Sequence, residues 1–104
     1  MIKLYEKITA ENWLKGSLQV TQRADNDPTG FLVRSCLGGH VLNEIMEWRR
    51  DEVIRDLVRA ARVLFPERIG KKKKLSPAQR LVRFNDHPDT TVDDVRRVCK
   101  VADR

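Results

Sequence analysis

Apolar side chains recur along this chain mostly at helical intervals. The clearest run is Asp51 to Phe65, DEVIRDLVRAARVLF. There Val53, Ile54, Leu57, Val58, Ala61, Leu64 and Phe65 fit within an arc of about 140° on a helical wheel. Arg55, Arg59 and Arg62 lie outside that arc, four and three residues apart, and form a stripe for solvent. Asp51 and Glu52 fall in the predicted first turn, where the helix dipole favours carboxylates, and Pro66 ends the helix. Upstream, FLVRSCLGGHVLNEIMEW (residues 31–48) carries apolar side chains almost all round a helix, which predicts the most buried, central element. Gly38 and Gly39 cost about 1 kcal/mol each inside a helix, so close approach of a neighbouring helix, or a kink, is expected there.

The remaining segments read in the same way. Thr9 caps a predicted helix over AENWLKGSL with Trp13 and Leu14 buried, and TQRADNDPTG (residues 21–30) reads as a polar, turn-rich loop. Residues 66–75 form a basic, lysine-rich loop. Ser76-Pro77-Ala78-Gln79 is a capping box with proline at the first helical position; it opens a short helix with Leu81, Val82 and Phe84. After a break at NDHPD, Thr91 caps a last helix in which Val92, Val95, Val98, Cys99 and Ala102 share a face. No stretch alternates long enough to build a sheet. The predicted fold class is therefore all-α: a single compact domain of about five short helices around one central buried helix.

Composition sharpens this picture in one respect. The 104 residues suit one domain, and 40% hydrophobic with 35% charged residues suits a globular chain with a crowded ionic surface. No run approaches the ~20 apolar residues of a membrane span, and the start lacks the apolar stretch of a signal peptide, so a cytoplasmic location is the default. The net charge is +6, and residues 49–74 alone, with ten cations and four carboxylates, hold a surplus of that size. Charge of one sign concentrated in one segment predicts an acidic partner surface or a polyanion.

Several features resemble a family of small uncharacterised proteins of actinobacteria and their phages. The residues that carry the resemblance are Trp13-Leu14-Lys15-Gly16, Asp27-Pro28, Cys36-Leu37-Gly38-Gly39, Phe84-Asn85-Asp86 and Thr91-Val92-Asp93-Asp94-Val95. The chain departs from the family at Phe84, where tryptophan is usual, at Ser35, where an aromatic is, and at His40, where alanine is. The resemblance implies a compact helical domain whose shared residues are structural. Asn85 and Asp86 would serve the turn before the last helix, and the glycines would serve packing. It also implies a phage or mobile-element accessory protein, and it carries no catalytic residue.

The candidate chemistries narrow quickly. There is no Ser-His-Asp arrangement, no phosphate-cradling glycine loop and no HExxH, so no enzyme activity and no cofactor is expected. Cys36, His40, His87 and Cys99 lack the close ligand pairs of a structural zinc site. His87-Pro88-Asp89 matches the J-domain tripeptide, but a proline-built turn accounts for it. A helix-turn-helix reading of the last two helices fails because Asp86, Asp89, Asp93 and Asp94 would meet phosphates first. A ligand pocket beside His40 and the central helix is a minor reading. The expected site is the basic surface of Arg55, Arg59, Arg62, Arg68, Lys71, Lys72, Lys73 and Lys74, docking an acidic protein partner. Sequence-independent nucleic-acid binding through the same surface is the second reading. Phe65, Phe84 and both tryptophans are assigned to the core, which argues against single-strand stacking.

Overall fold

The computed structural model describes residues 3–16, 19–23 and 31–104. Along the chain run α1 (Leu4–Lys7), β1 (Gln19–Arg23), β2 (Phe31–Ser35), α2 (Leu37–Glu44), α3 (Glu47–Leu64), a 3-10 turn (Pro66–Arg68), α4 (Pro77–Asp86) and α5 (Val92–Val101). Five helices and one antiparallel strand pair make a single small domain, helical in class as the apolar spacing predicts.

The longest helix, α3, is the hub, packing against α2, α4, α5 and the 3-10 turn. Its inner face is the predicted one: Val53, Leu57, Val58 and Ala61 are buried, and Ile54, Leu64 and Phe65 pack at the edge of the core. The helix begins four residues earlier than Asp51, so Glu47 rather than Asp51 or Glu52 occupies the first turn. Leu81 and Phe84 of α4 and Val95, Val98 and Cys99 of α5 close the core, whereas Val82 faces outward. The predicted capping box forms at Ser76 with Gln79, and the predicted cap Thr91 makes a second box with Asp94.

The expected helix over residues 31–48 is instead three pieces. Phe31–Ser35 is a strand, opposite Arg23 to Gln19 in register. Cys36 then adopts an extended conformation and caps α2, its Sγ accepting from the Gly39 amide at 3.3 Å. α2 ends before Ile45, and Arg50 fastens the break by donating to the carbonyls of Leu42 (2.9 Å) and Ile45 (3.0 Å). The helix does not pack all round either: Leu42, Met46 and Trp48 are exposed. Gly38 is not a close-packing site, since an added Cβ would meet only Cys36 Sγ, at an ordinary 3.7 Å.

Over its described residues, 10–16, the predicted helix of AENWLKGSL does not form, and residues 17–18 lie outside the described residues. Thr9 caps one turn only, exchanging hydrogen bonds with Asn12 at 2.8 and 3.3 Å. The chain then extends because Ser35 takes both sides of it, donating to the Asn12 carbonyl (2.7 Å) and accepting from the Leu14 amide (3.2 Å). Gly16 has φ +81°, a left-handed conformation that glycine adopts without strain. Of the predicted loop over 21–30, residues 21–23 belong to β1 and 24–30 lie outside the described residues. The basic segment 66–75 opens with the 3-10 turn and is otherwise irregular.

Candidate functional site

Arg55, Arg59 and Arg62 all project from α3 into solvent. Arg59 alone of the three has an acidic neighbour, Asp56 at 3.7 Å, and stays 77% exposed. Arg55 and Arg62 have no acidic or hydrogen-bonding partner among the described residues. Seven residues before Arg55, and so on the same line of the helix, stands Trp48, 78% exposed with the Arg49 guanidinium 5.7 Å from its ring. Its assignment to the core is therefore corrected: because α3 starts at Glu47, this tryptophan heads the arginine stripe. The seven-residue spacing of Trp48, Arg55 and Arg62 is the sequence signal that marks it.

Lys71 to Lys74 occupy an exposed loop whose backbone is built rather than loose. Arg80 of α4 reaches back and donates to the carbonyls of Gly70 (3.0 Å) and Lys72 (3.0 Å). Gly70 has φ +85°, a conformation that calls for glycine, and a Cβ there would lie 2.6 Å from Leu75 Cδ1, so the tip of that side chain would have to shift. A groove of about 470 Å3 beside the loop mixes Arg68 and Arg83 with Glu67 and Asp86, so it carries no surplus charge.

Arg68 does not belong with these cations. Its guanidinium holds Asp94 at 2.8 Å, lies 4.4 Å over the Phe65 ring and is only 21% exposed. Asp94 is at once the Thr91 capping partner, so this one arginine ties the end of α3 to the start of α5. Burial disfavours the Asp94 anion, but hydrogen bonds from Arg68 and Thr91 and the Arg68 charge outweigh it, holding the carboxyl below its usual range.

The most densely bonded polar side chain of the interior is Asn85, 1% exposed. Its Oδ1 accepts from Trp13 Nε1 (2.6 Å) and from the Leu37 amide at the start of α2 (3.0 Å). Its Nδ2 donates to the Leu14 carbonyl (3.1 Å) and to Asp86 Oδ1 (3.0 Å), which also accepts from the Gly16 amide at 2.9 Å. Asn85 and Asp86 thus fix residues 13–16 against α2 rather than serving the turn before α5. The segments Trp13–Gly16, Cys36–Gly39 and Phe84–Asp86, separate in sequence, meet at this one tie.

The other candidates are engaged structurally. His40 Nε2 meets the Asn12 carbonyl at 3.2 Å, and burial lowers its pKa, offset in part by that carbonyl and by Glu44. His87 Nδ1 accepts from the Asp89 amide at 3.1 Å within a local turn. Cys99 is a core residue whose thiol burial pushes up to about 12, and both cysteines are free. Among the described residues no three of His, Cys, Asp or Glu gather where a metal could sit, and no helix is long and apolar enough to cross a membrane.

Taken together, the asparagine-centred tie inside and the arginine face outside define a small helical domain whose polar interior is structural. The chain belongs to a family of unknown function, DUF6197, whose profile matches residues 4–104. No curated protein and no solved structure matches it.

Proposed function

We propose that this chain is a non-catalytic accessory protein, of phage or mobile-element type, that binds an acidic protein partner in the cytoplasm through the outer face of α3. The observation that carries the reading is the line of Trp48, Arg55 and Arg62, exposed side chains with no carboxylate among the described residues to neutralise the arginines. Tryptophan and arginine are the residue types that most often dominate interface energetics, because each combines a large contact face with directional polar groups. Lys71 to Lys74 sit farther along the same connection and raise the association rate by long-range attraction.

The experiment replaces Arg55, Arg59 and Arg62 together by glutamate. All three are exposed, so the helical circular-dichroism spectrum stays, while capture of an acidic protein, identified by mass spectrometry, disappears. Identical capture by both proteins refutes the reading. Sequence-independent nucleic-acid binding is a second reading, favoured by the exposed Trp48 ring, which offers bases a stacking face beside cations. Gel shifts with duplex and single strands at stepped salt decide it. Retardation that weakens steeply with salt supports it, and none at low salt eliminates it.

A further inference from the structure

Beside the arginine stripe a groove of about 320 Å3 runs between α3 and α5, lined by Asp56, Arg59, Ala60, Val63, Val101 and Ala102. Two of its lining side chains are exposed and aliphatic, Val63 at 73% and Val101 at 53%. Neither contributes to the core, so each leaves most of its surface for something outside the chain. The one carboxylate among the lining residues, Asp56, is held by Arg104 at 2.6 Å and approached by Arg59 at 3.7 Å. The groove therefore presents apolar surface edged by positive charge, with its own acid already neutralised. Arg59 belongs to both features: Val63 lies about 40° round the helix on one side of it, and Arg55 and Arg62 lie on the other.

We propose that this groove seats the apolar edge of an acidic amphipathic helix of a partner protein, whose carboxylates run along the adjacent flank to Arg59, Arg55 and Arg62. The inference rests on the acidic-partner reading above and adds the partner's secondary structure and its anchor. At about 320 Å3 the space is at the lower end for ligand sites, so it takes side chains rather than a whole ligand. A helix laid along α3 supplies such side chains at i and i+4, with a charged flank next to them. A second copy of this chain is a poor occupant, because a net charge of +6 and two facing arginine stripes repel. Nucleic acid offers charge but no aliphatic ridge to fill the groove.

The test uses a fluorescein-labelled synthetic helical peptide with leucines at i, i+4 and i+7 and glutamates on the neighbouring flank. A control peptide has the same composition with its leucines shuffled off the stripe. Fluorescence anisotropy should show the intact protein preferring the patterned peptide by about tenfold, the order expected for burying a branched aliphatic side chain. The exposed-site variant carrying Val63→Ser and Val101→Ser should lose that preference and keep weak, salt-sensitive binding of both peptides. The triple glutamate variant should bind neither. Equal binding of both peptides, unchanged by the serine substitutions, overturns the groove while leaving the acidic-partner reading intact. Failure of the intact protein to bind either peptide removes both. A dimer in sedimentation that the serine variant dissociates, or phosphatidylserine-vesicle binding lost in that variant, also overturns the proposal, in favour of a second copy or a lipid surface.

Discussion

Replacing Asn85 by alanine removes a side chain that is 1% exposed and makes four hydrogen bonds. The consequence depends on which partners can find water afterwards. Asp86 is exposed and rehydrates, and Leu14 is only half-buried, so those two losses are modest. The Leu37 amide belongs to a residue with no exposed surface, and the Trp13 indole N–H points into the same site. A buried donor left unpaired costs about 1–3 kcal/mol, so the two together with the lost bonds to Leu14 and Asp86 come to about 3–5 kcal/mol. That is a large share of the stability of a small domain, about 5–15 kcal/mol. Urea unfolding followed by far-ultraviolet circular dichroism measures it. A double-mutant cycle with Trp13→Phe should return a coupling of about 1 kcal/mol, because phenylalanine removes the donor and leaves Oδ1 satisfied by Leu37. A loss below about 1 kcal/mol for Asn85→Ala would mean that water replaces the tie and that Asn85 does not hold the three segments together.

Two ionisable groups each predict a loss of stability in acid, in different pH windows. Asp94 is held below its unfolded pKa, so its stabilising contribution is fully present above about pH 4 and lost as pH falls through its folded value; Arg68→Met should cost about 2 kcal/mol at neutral pH and progressively less in acid, read from urea midpoints. His40 is also lowered, but as a base: the unfolded chain takes up the proton first, so stability falls as pH drops through about 6.5. His40→Ala should flatten that slope in the same titration. Gly70→Ala should destabilise by about 1–2 kcal/mol for its left-handed backbone alone, plus the clash with Leu75, whereas Gly16→Ala meets open space and costs only the backbone share.

The parts of this structure that could be read from the sequence are those set by neighbours along the chain. The inner face of α3 follows from spacing that repeats every turn, and the boxes at Ser76 and Thr91 join groups three residues apart. The strand pair was not legible, because β1 is mostly polar and the apolar run Phe31–Val33 continues into a helical pattern without a break. Trp48 was misplaced by residue type: a tryptophan suggests burial, but the helix start at Glu47 fixes which way it faces. The roles of Asn85 and Arg68 are hidden from the sequence for a common reason. Asn85 bonds to partners 72 and 48 positions away, and Arg68 to one 26 away, so nothing beside either residue announces its role. Arg68 looks like the forerunner of the lysine run until Asp94 is placed against it.

The same distinction governs what the surplus charge means. Arg50 donates to the carbonyls closing α2, Arg80 to those of the lysine loop, Arg96 to Tyr5 and Lys15 to His87 and Pro88. A carbonyl oxygen satisfies a cation's hydrogen bonds without cancelling its charge, as at any helix end closed by arginine. Part of the net +6 is therefore a by-product of fastening helix ends and turns, and says nothing about a partner. Such cations are fixed in place, and swinging one outward would expose an unpaired carbonyl behind it. Among the described residues the cations without such a duty include Arg55, Arg62 and the four lysines of the loop, with Lys7, Arg83 and Arg97; of these, Arg55 and Arg62 stand in line with the exposed Trp48, and the Val63–Val101 groove lies next to them. Charge alone attracts without selecting, and apolar surface alone binds without orienting. Their coincidence on one helix, rather than the size of the surplus, is the physical reason to look for a partner there.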